Sequence, residues 1–181
     1  MNISINKKNQ VMAGLLVTFL TLAPGALAEE KVSLTKIPAG WKVDDNIQQS
    51  ETSKSYRHSR NSPRRTFQMS YWKTDYDYYA KGPFKKYKTG AVVNGDMKIL
   101  SGWEKTTLLG RDAYTYSAAD PMPGGEGVDY YRTYFLKTDT KSRSYDITYH
   151  VVYSNDKKIV PKKLDMKDFQ KFVDNLVLAE Q

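Results

Sequence analysis

From about residue 31 onward, apolar and polar residues alternate with a period of two through much of the chain, the spacing of a strand that buries one face. Val32 and Leu34 alternate with polar neighbours ahead of Ile37-Pro38-Ala39-Gly40-Trp41, where Pro38 and Gly40 mark a turn and Trp41 is expected to plug a core edge. Phe67, Met69 and Tyr71 alternate with Gln68, Ser70 and Trp72. Met97 to Leu109 reads as a strand, Gly110 as a turn, Asp112 to Ser117 as the returning strand, and Asp120 to Gly127 as a loop rich in Pro and Gly. The clearest signal is a hairpin, Val128 to Lys137 and Arg143 to Tyr153, joined by five polar residues. In its second arm Tyr145, Ile147, Tyr149, Val151 and Tyr153 fall on one face, with Asp146, Thr148 and His150 on the other.

Three stretches depart from this period. Residues 47–65 are polar and basic and read as a frayed hairpin or a loop. Asp75 to Lys88 has the tyrosines and lysines of a helix, but Gly82-Pro83 should break one in the middle. At the C-terminus Phe169, Phe172, Val173 and Leu176 stand at i, i+3, i+4 and i+7, one stripe of a helix that should cover the sheet. Asp165 is its expected N-cap and Asp168 its first-turn acid. The predicted fold is α+β: a single domain in which helices cover an antiparallel sheet.

The N-terminus has another pattern. Lys7 and Lys8 precede the apolar run Val11 to Ala23, which Pro24 and Gly25 end, and Ala26 and Ala28 frame a cleavage point before Glu29. The run is shorter than the roughly 20 residues a bilayer-spanning helix requires. Residues 1–28 therefore read as a cleavable export signal and 29–181 as one mature globular domain, with the periplasm as its expected location and no further transmembrane span. The chain has no cysteine, so neither a lipid anchor on sulfur nor a disulfide is available, and stability must come from packing.

Removing the signal takes away two lysines and no carboxylate, so the formal charge drops from +8 to +6. A basic envelope protein favours acidic partners, whether an acidic protein surface, lipid headgroups or anionic glycans, and nucleic acid fits that compartment poorly. The positive charge is grouped with aromatics. Arg57, Arg60, Arg64 and Arg65 crowd one segment, and Lys85, Lys86 and Lys88 follow Tyr78 and Tyr79. Such a set either recognises an acidic partner or forms a solvated surface.

Catalytic signatures are sparse. The only imidazoles are His58, inside Tyr56-Arg57-His58-Ser59-Arg60, and His150, on one strand face with Thr148 and Asp146. No Gly-x-Ser-x-Gly elbow, phosphate-binding loop or other cofactor motif is present. Two distant histidines and no thiol do not make a zinc site, and Gly124 to Gly127 lacks the oxygen spacing of a calcium loop. Glu104, Asp112 and Glu126 are carboxylates whose separation decides whether they serve a glycosidase. No catalytic, metal or cofactor residue is assigned.

The order of these elements resembles the PsbP-like fold. The resemblance rests on the Pro38, Gly40, Trp41 turn, the Gly-Arg-Asp-Ala-Tyr-Thr-Tyr strand at 110–116, the long aromatic hairpin and the closing Phe-Val-Asp-Asn-Leu-Val-Leu at 172–178, and it spans residues 31–179. The group includes the photosystem extrinsic subunit, the Mog nuclear-transport factor and DcrB-type bacterial envelope proteins. It implies a sheet sandwiched by helices and members that mostly bind proteins without catalysis. The expected function is a non-enzymatic periplasmic protein that binds an acidic protein partner, as an immunity-type inhibitor or a chaperone-like accessory. The alternative is a small envelope enzyme or glycan-binding domain using carboxylates and aromatics on a sheet face.

Overall fold

The computed structural model describes residues 30–50, 52–60, 63–72, 76, 78, 82–138, 144–154 and 166–180. The expected signal, residues 1–28, and Glu29 lie outside them. Among the described residues there are ten strands: β1 (Glu30–Leu34), β2 (Trp41–Val43), β3 (Ser53–His58), β4 (Arg64–Trp72), β5 (Val92–Val93), β6 (Met97–Leu108), β7 (Arg111–Pro121), β8 (Gly127–Lys137), β9 (Ser144–Ser154) and β10 (Leu176–Glu180). Eight of them form one antiparallel sheet in the order β2-β3-β4-β9-β8-β7-β6-β5, and β1 pairs with β10 in a second sheet. The polar segment at 47–65 is structured here as β3 and the start of β4. The hairpin β6–β7 turns on Leu109 and Gly110, whose φ values of 53° and 73° suit the mirror-image turn that matches strand twist.

One sheet face carries the main core. Phe67, Tyr149, Ile147 and Leu136 point into it and meet α1 (Lys167–Val173) and the small sheet. Phe172 stacks on Phe67 at 3.9 Å between ring centres and stands nearly perpendicular to Trp41 at 4.7 Å. Each fully buried aromatic of this kind contributes roughly 1.5–3 kcal/mol. Trp41 is buried as expected, at the close of a turn in which its N–H donates to the Pro38 carbonyl.

The opposite face changes character between β8 and β9. On β6, β7 and β8 it presents Ile99, Tyr114, Tyr116, Ala118 and Phe135, and Tyr76, Phe84 and Tyr87 cap that apolar half. On β3, β4 and β9 it presents Ser55, Arg57, Thr66, Gln68, Asp146, Thr148 and His150, which no apolar cap would cover favourably.

These findings correct the predicted α+β class. The described residues are dominated by antiparallel β structure and do not form a sheet covered by helices. Over the apolar half Tyr76 and Tyr78 are helical, as the sequence pattern before Gly82-Pro83 allows, and η1 (Pro83–Lys86) is a single 3₁₀ turn. A Cβ on Gly82 would lie 2.3 Å from the Tyr78 carbonyl oxygen, so only glycine fits there, and Pro83 starts the turn. Over the main core α1 spans only seven residues. Asn175 ends it: its side chain donates to the Lys171 carbonyl at 2.8 Å, and its own carbonyl accepts the Thr35 N–H at 2.9 Å. Leu176, expected on the helical stripe, instead opens β10 opposite Leu34 and remains buried. Met166, not Asp165, occupies the N-cap position, and Asp165 lies outside the described residues.

Candidate functional site

The polar half of the second face holds a cleft of about 310 Å³. Strand register builds its floor. Arg57, Thr66 and His150 stand side by side in one row across β3, β4 and β9, and the row continues to Tyr131 on β8. The next row runs Arg64, Val152, Asp129. Strands lie about 4.8 Å apart, so Arg64 and Asp129 are separated by roughly 10 Å. The β2–β3 connection makes one wall with Asp44, Asn46 and Ile47. Gln49 fixes that wall, accepting from the Ser55 N–H at 2.8 Å and donating to the Asp44 and Ile47 carbonyls, each at 2.9 Å.

Charges in the cleft are mostly committed. Arg57 lies 3.5 Å from Asp44 and 3.7 Å from Asp45, an ion pair with the looser geometry of a Coulombic contact. His150 Nδ1 is 2.9 Å from Asp129 Oδ2, while Asp129 Oδ1 is buried without a hydrogen-bond partner among the described residues. Arg64 is exposed on the cleft's lining and has no acidic partner among the described residues.

Asp146 does not pair with His150. It accepts from the Thr148 hydroxyl at 2.6 Å, and because that proton is committed, Thr133 donates to Thr148 across 2.9 Å. Burial raises the Asp146 pKa, against the opposing pull of the Thr148 hydroxyl and of His150. His58 is among the residues that line the cleft, and its ring meets Trp41 of the main core. Its Nδ1 accepts the Arg60 N–H at 3.0 Å, and its pKa is lowered first by burial and then by Arg65, Arg60 and Lys171, with Asp168 opposing.

The structure divides the arginine group. Arg57 and Arg64 line the cleft, Arg60 is exposed two residues past β3, and Arg65 faces the other side, 3.4 Å from Asp168 of α1. Tyr78, Lys85, Lys86 and Lys88 are exposed on the cap over the apolar half, away from the cleft, and Tyr79 lies outside the described residues. Ala26, Ala28 and Glu29 also lie outside them. The three carboxylates singled out do not converge: Glu104 pairs with Arg132 at 3.3 Å, while Asp112 and Glu126 flank opposite ends of β7. Among the described residues no group of His, Asp and Glu is placed to hold a metal ion. Asp129, like Asp44, Thr66 and Gln68, is a cleft residue that sequence reading missed. The signal for it was the hairpin register, since Asp129 and Val152 are opposite partners and His150 is therefore diagonal to Asp129.

Two solved structures superpose on nearly the whole chain. One is LpqN of Mycobacterium tuberculosis, described as involved in cell envelope biogenesis, with a TM-score of 0.53 and 10% identity over 86% of this chain and 87% of that one. The other is the Saccharomyces cerevisiae Ran-binding protein Mog1p, with a TM-score of 0.50 and 11% identity over 83% of this chain and 95% of that one. The fold is shared with both. No protein-family model and no curated protein matches the chain. At such identities the likeness carries the fold alone, and the cleft must be read from its own residues. No helix among the described residues is long and apolar enough to cross a membrane.

Proposed function

We propose that the chain is a non-enzymatic periplasmic binding protein, exported by its first 28 residues, whose polar cleft takes a carboxylate-bearing segment of an acidic protein partner. The observation that carries this reading is the uncommitted charge. Asp44 is held by Arg57 and Asp129 by His150, whereas Arg64 is exposed and unpaired among the described residues. An incoming carboxylate meets a guanidinium fork that needs no prior bond broken, with Thr66 and Gln68 as neighbouring hydrogen-bonding groups.

The fold neighbours support this reading at the level of class, since one is described as an envelope biogenesis protein and the other as Ran-binding. The resemblance to DcrB-type envelope proteins points the same way. Masking a toxic acidic partner, as immunity-type inhibitors do, or stabilising a client as an accessory would both use such a cleft. The test is affinity capture from envelope extract on wild type and on Arg64→Glu, side by side. Wild type should retain a stoichiometric acidic protein that high salt releases and the charge-reversed variant does not hold. Equal capture by both would place binding elsewhere.

One observation favours a second reading. A histidine held at 2.9 Å by a carboxylate is the arrangement that orients a general base, so a small envelope enzyme or glycan-binding domain is the alternative use of His150 and Asp129. Binding or turnover of envelope glycan fragments that Asp129→Asn abolishes and Arg64→Glu leaves intact would favour it.

A further inference from the structure

The cap over the apolar half of the sheet presents a second surface. Phe84 and Tyr87 are its inward anchors: the Phe84 ring lies 5.1 Å from Trp103 and 5.2 Å from Phe135, and Tyr87 lies 4.9 Å from Tyr116. Lys85, Lys86 and Lys88, set between and beside those anchors, are all exposed and have no acidic partner among the described residues. Tyr78 at the start of the cap is 57% exposed, and Trp72 at the end of β4 is 49% exposed. Trp72 and Lys137 occupy one row across β4, β9 and β8, with Ser144 between them, so they share a face. The Lys137 ammonium lies 5.9 Å from the ring centre of Tyr76, which ties that row to the cap. Asp75 and Asp77, next to Tyr76 in sequence, lie outside the described residues.

We propose that this side of the molecule docks on the surface of an anionic bilayer. Its cations are all lysines, point charges that suit a fluid layer of phosphate headgroups, whereas directional carboxylate recognition favours the arginine fork found in the cleft. Its exposed aromatics are Trp and Tyr, the two residues that settle at a membrane interface with the ring in the headgroup layer and the polar atom in water. The cleft is lined by other residues. The inference does not depend on what fills the cleft.

The test is co-sedimentation of the processed chain, purified from the envelope fraction, with vesicles of phosphatidylglycerol in phosphatidylcholine and with vesicles of phosphatidylcholine alone. Binding should require the anionic lipid and fall steeply with salt. Each lysine near such a surface is worth roughly fivefold, so the triple change Lys85→Gln, Lys86→Gln, Lys88→Gln should weaken binding by about a hundredfold. The equal charge change Lys36→Gln, Lys42→Gln, Lys54→Gln should cost less than about fivefold, because it lies away from the cap. Replacing Trp72 and Tyr78 by alanine should reduce binding to the same vesicles several-fold. Equal losses in the two lysine triples, binding to both kinds of vesicle alike, or binding to neither at low salt would each overturn the proposal.

Discussion

His150 Nδ1 lies 2.9 Å from Asp129 Oδ2, so the histidine is held across the β8–β9 hairpin and not along its own strand. Asp129 in turn stands directly opposite Asp120 on β7. The Asp120 carboxyl is raised above its ordinary 3.8, first by burial and then by the charges of Asp129 and Asp96. Asp129→Asn should therefore lower the Asp120 pKa without bringing it down to 3.8, since burial and Asp96 remain, and carbon NMR of the carboxyl groups reads this directly. An unmoved Asp120 titration would mean the two carboxylates do not sense each other. The same change should cost about 1 kcal/mol of stability as a charge-assisted bond becomes a neutral one.

Phe172 is fully buried, stacked on Phe67 and in T-shaped contact with Trp41. Phe172→Ala leaves a void between α1 and the sheet that two aromatic rings cannot fill by small shifts. The expected loss is about 3–5 kcal/mol, measured by urea unfolding followed through tryptophan fluorescence. A loss below about 1 kcal/mol would mean that α1 does not carry the core of this face.

His58 adds a pH dependence of known sign. Its folded pKa lies below the ordinary 6.5, so the unfolded chain takes up the proton first as pH falls. Stability contributed by neutral His58 is complete above 6.5 and is lost as pH drops through 6.5 toward the lower folded value. His58→Asn, whose Oδ1 can replace Nδ1 as acceptor of the Arg60 N–H, should flatten that part of the stability profile. Urea midpoints measured across this range test it, and a variant profile as steep as wild type would assign the dependence to another group.

Much of the sheet was legible in residue pattern. The alternation at Phe67 to Trp72 and the two faces of Tyr145 to Tyr153 appear in the structure as read, because a strand buried on one side must alternate. Helical cover was overpredicted because period alone does not show where a chain turns. Phe169, Phe172 and Val173 belong to α1, but Asn175 redirects Leu176 into a strand whose partner, Leu34, is 142 positions earlier. The strand at Ser53 to His58, one arm of the hairpin that 47–65 was read to offer beside a loop, was only half legible for the opposite reason. One of its faces lines a polar cleft, so alternation is muted and the segment resembles a loop. In the site, His150 was legible as a candidate and its partner was not. Asp146 and Thr148 are close to it in sequence, but the cross-strand diagonal placed Asp129 nearer, and a one-residue change of hairpin register would have turned Asp129 to the other face. The arginine cluster read as one surface is split by the same rule, since neighbours Arg64 and Arg65 must point to opposite sides of β4.

The most direct test of the cleft reading is a titration of isotopically labelled protein with a short glutamate-rich peptide, followed by backbone amide NMR. Shifts should concentrate at Arg57, Arg64, Thr66, Gln68 and His150, and Arg64→Glu should abolish them while leaving the spectrum that of a folded protein. Shifts confined to the lysine cap, or a titration that Arg64→Glu leaves unchanged, would contradict the assignment of the cleft as the site that receives an acidic partner.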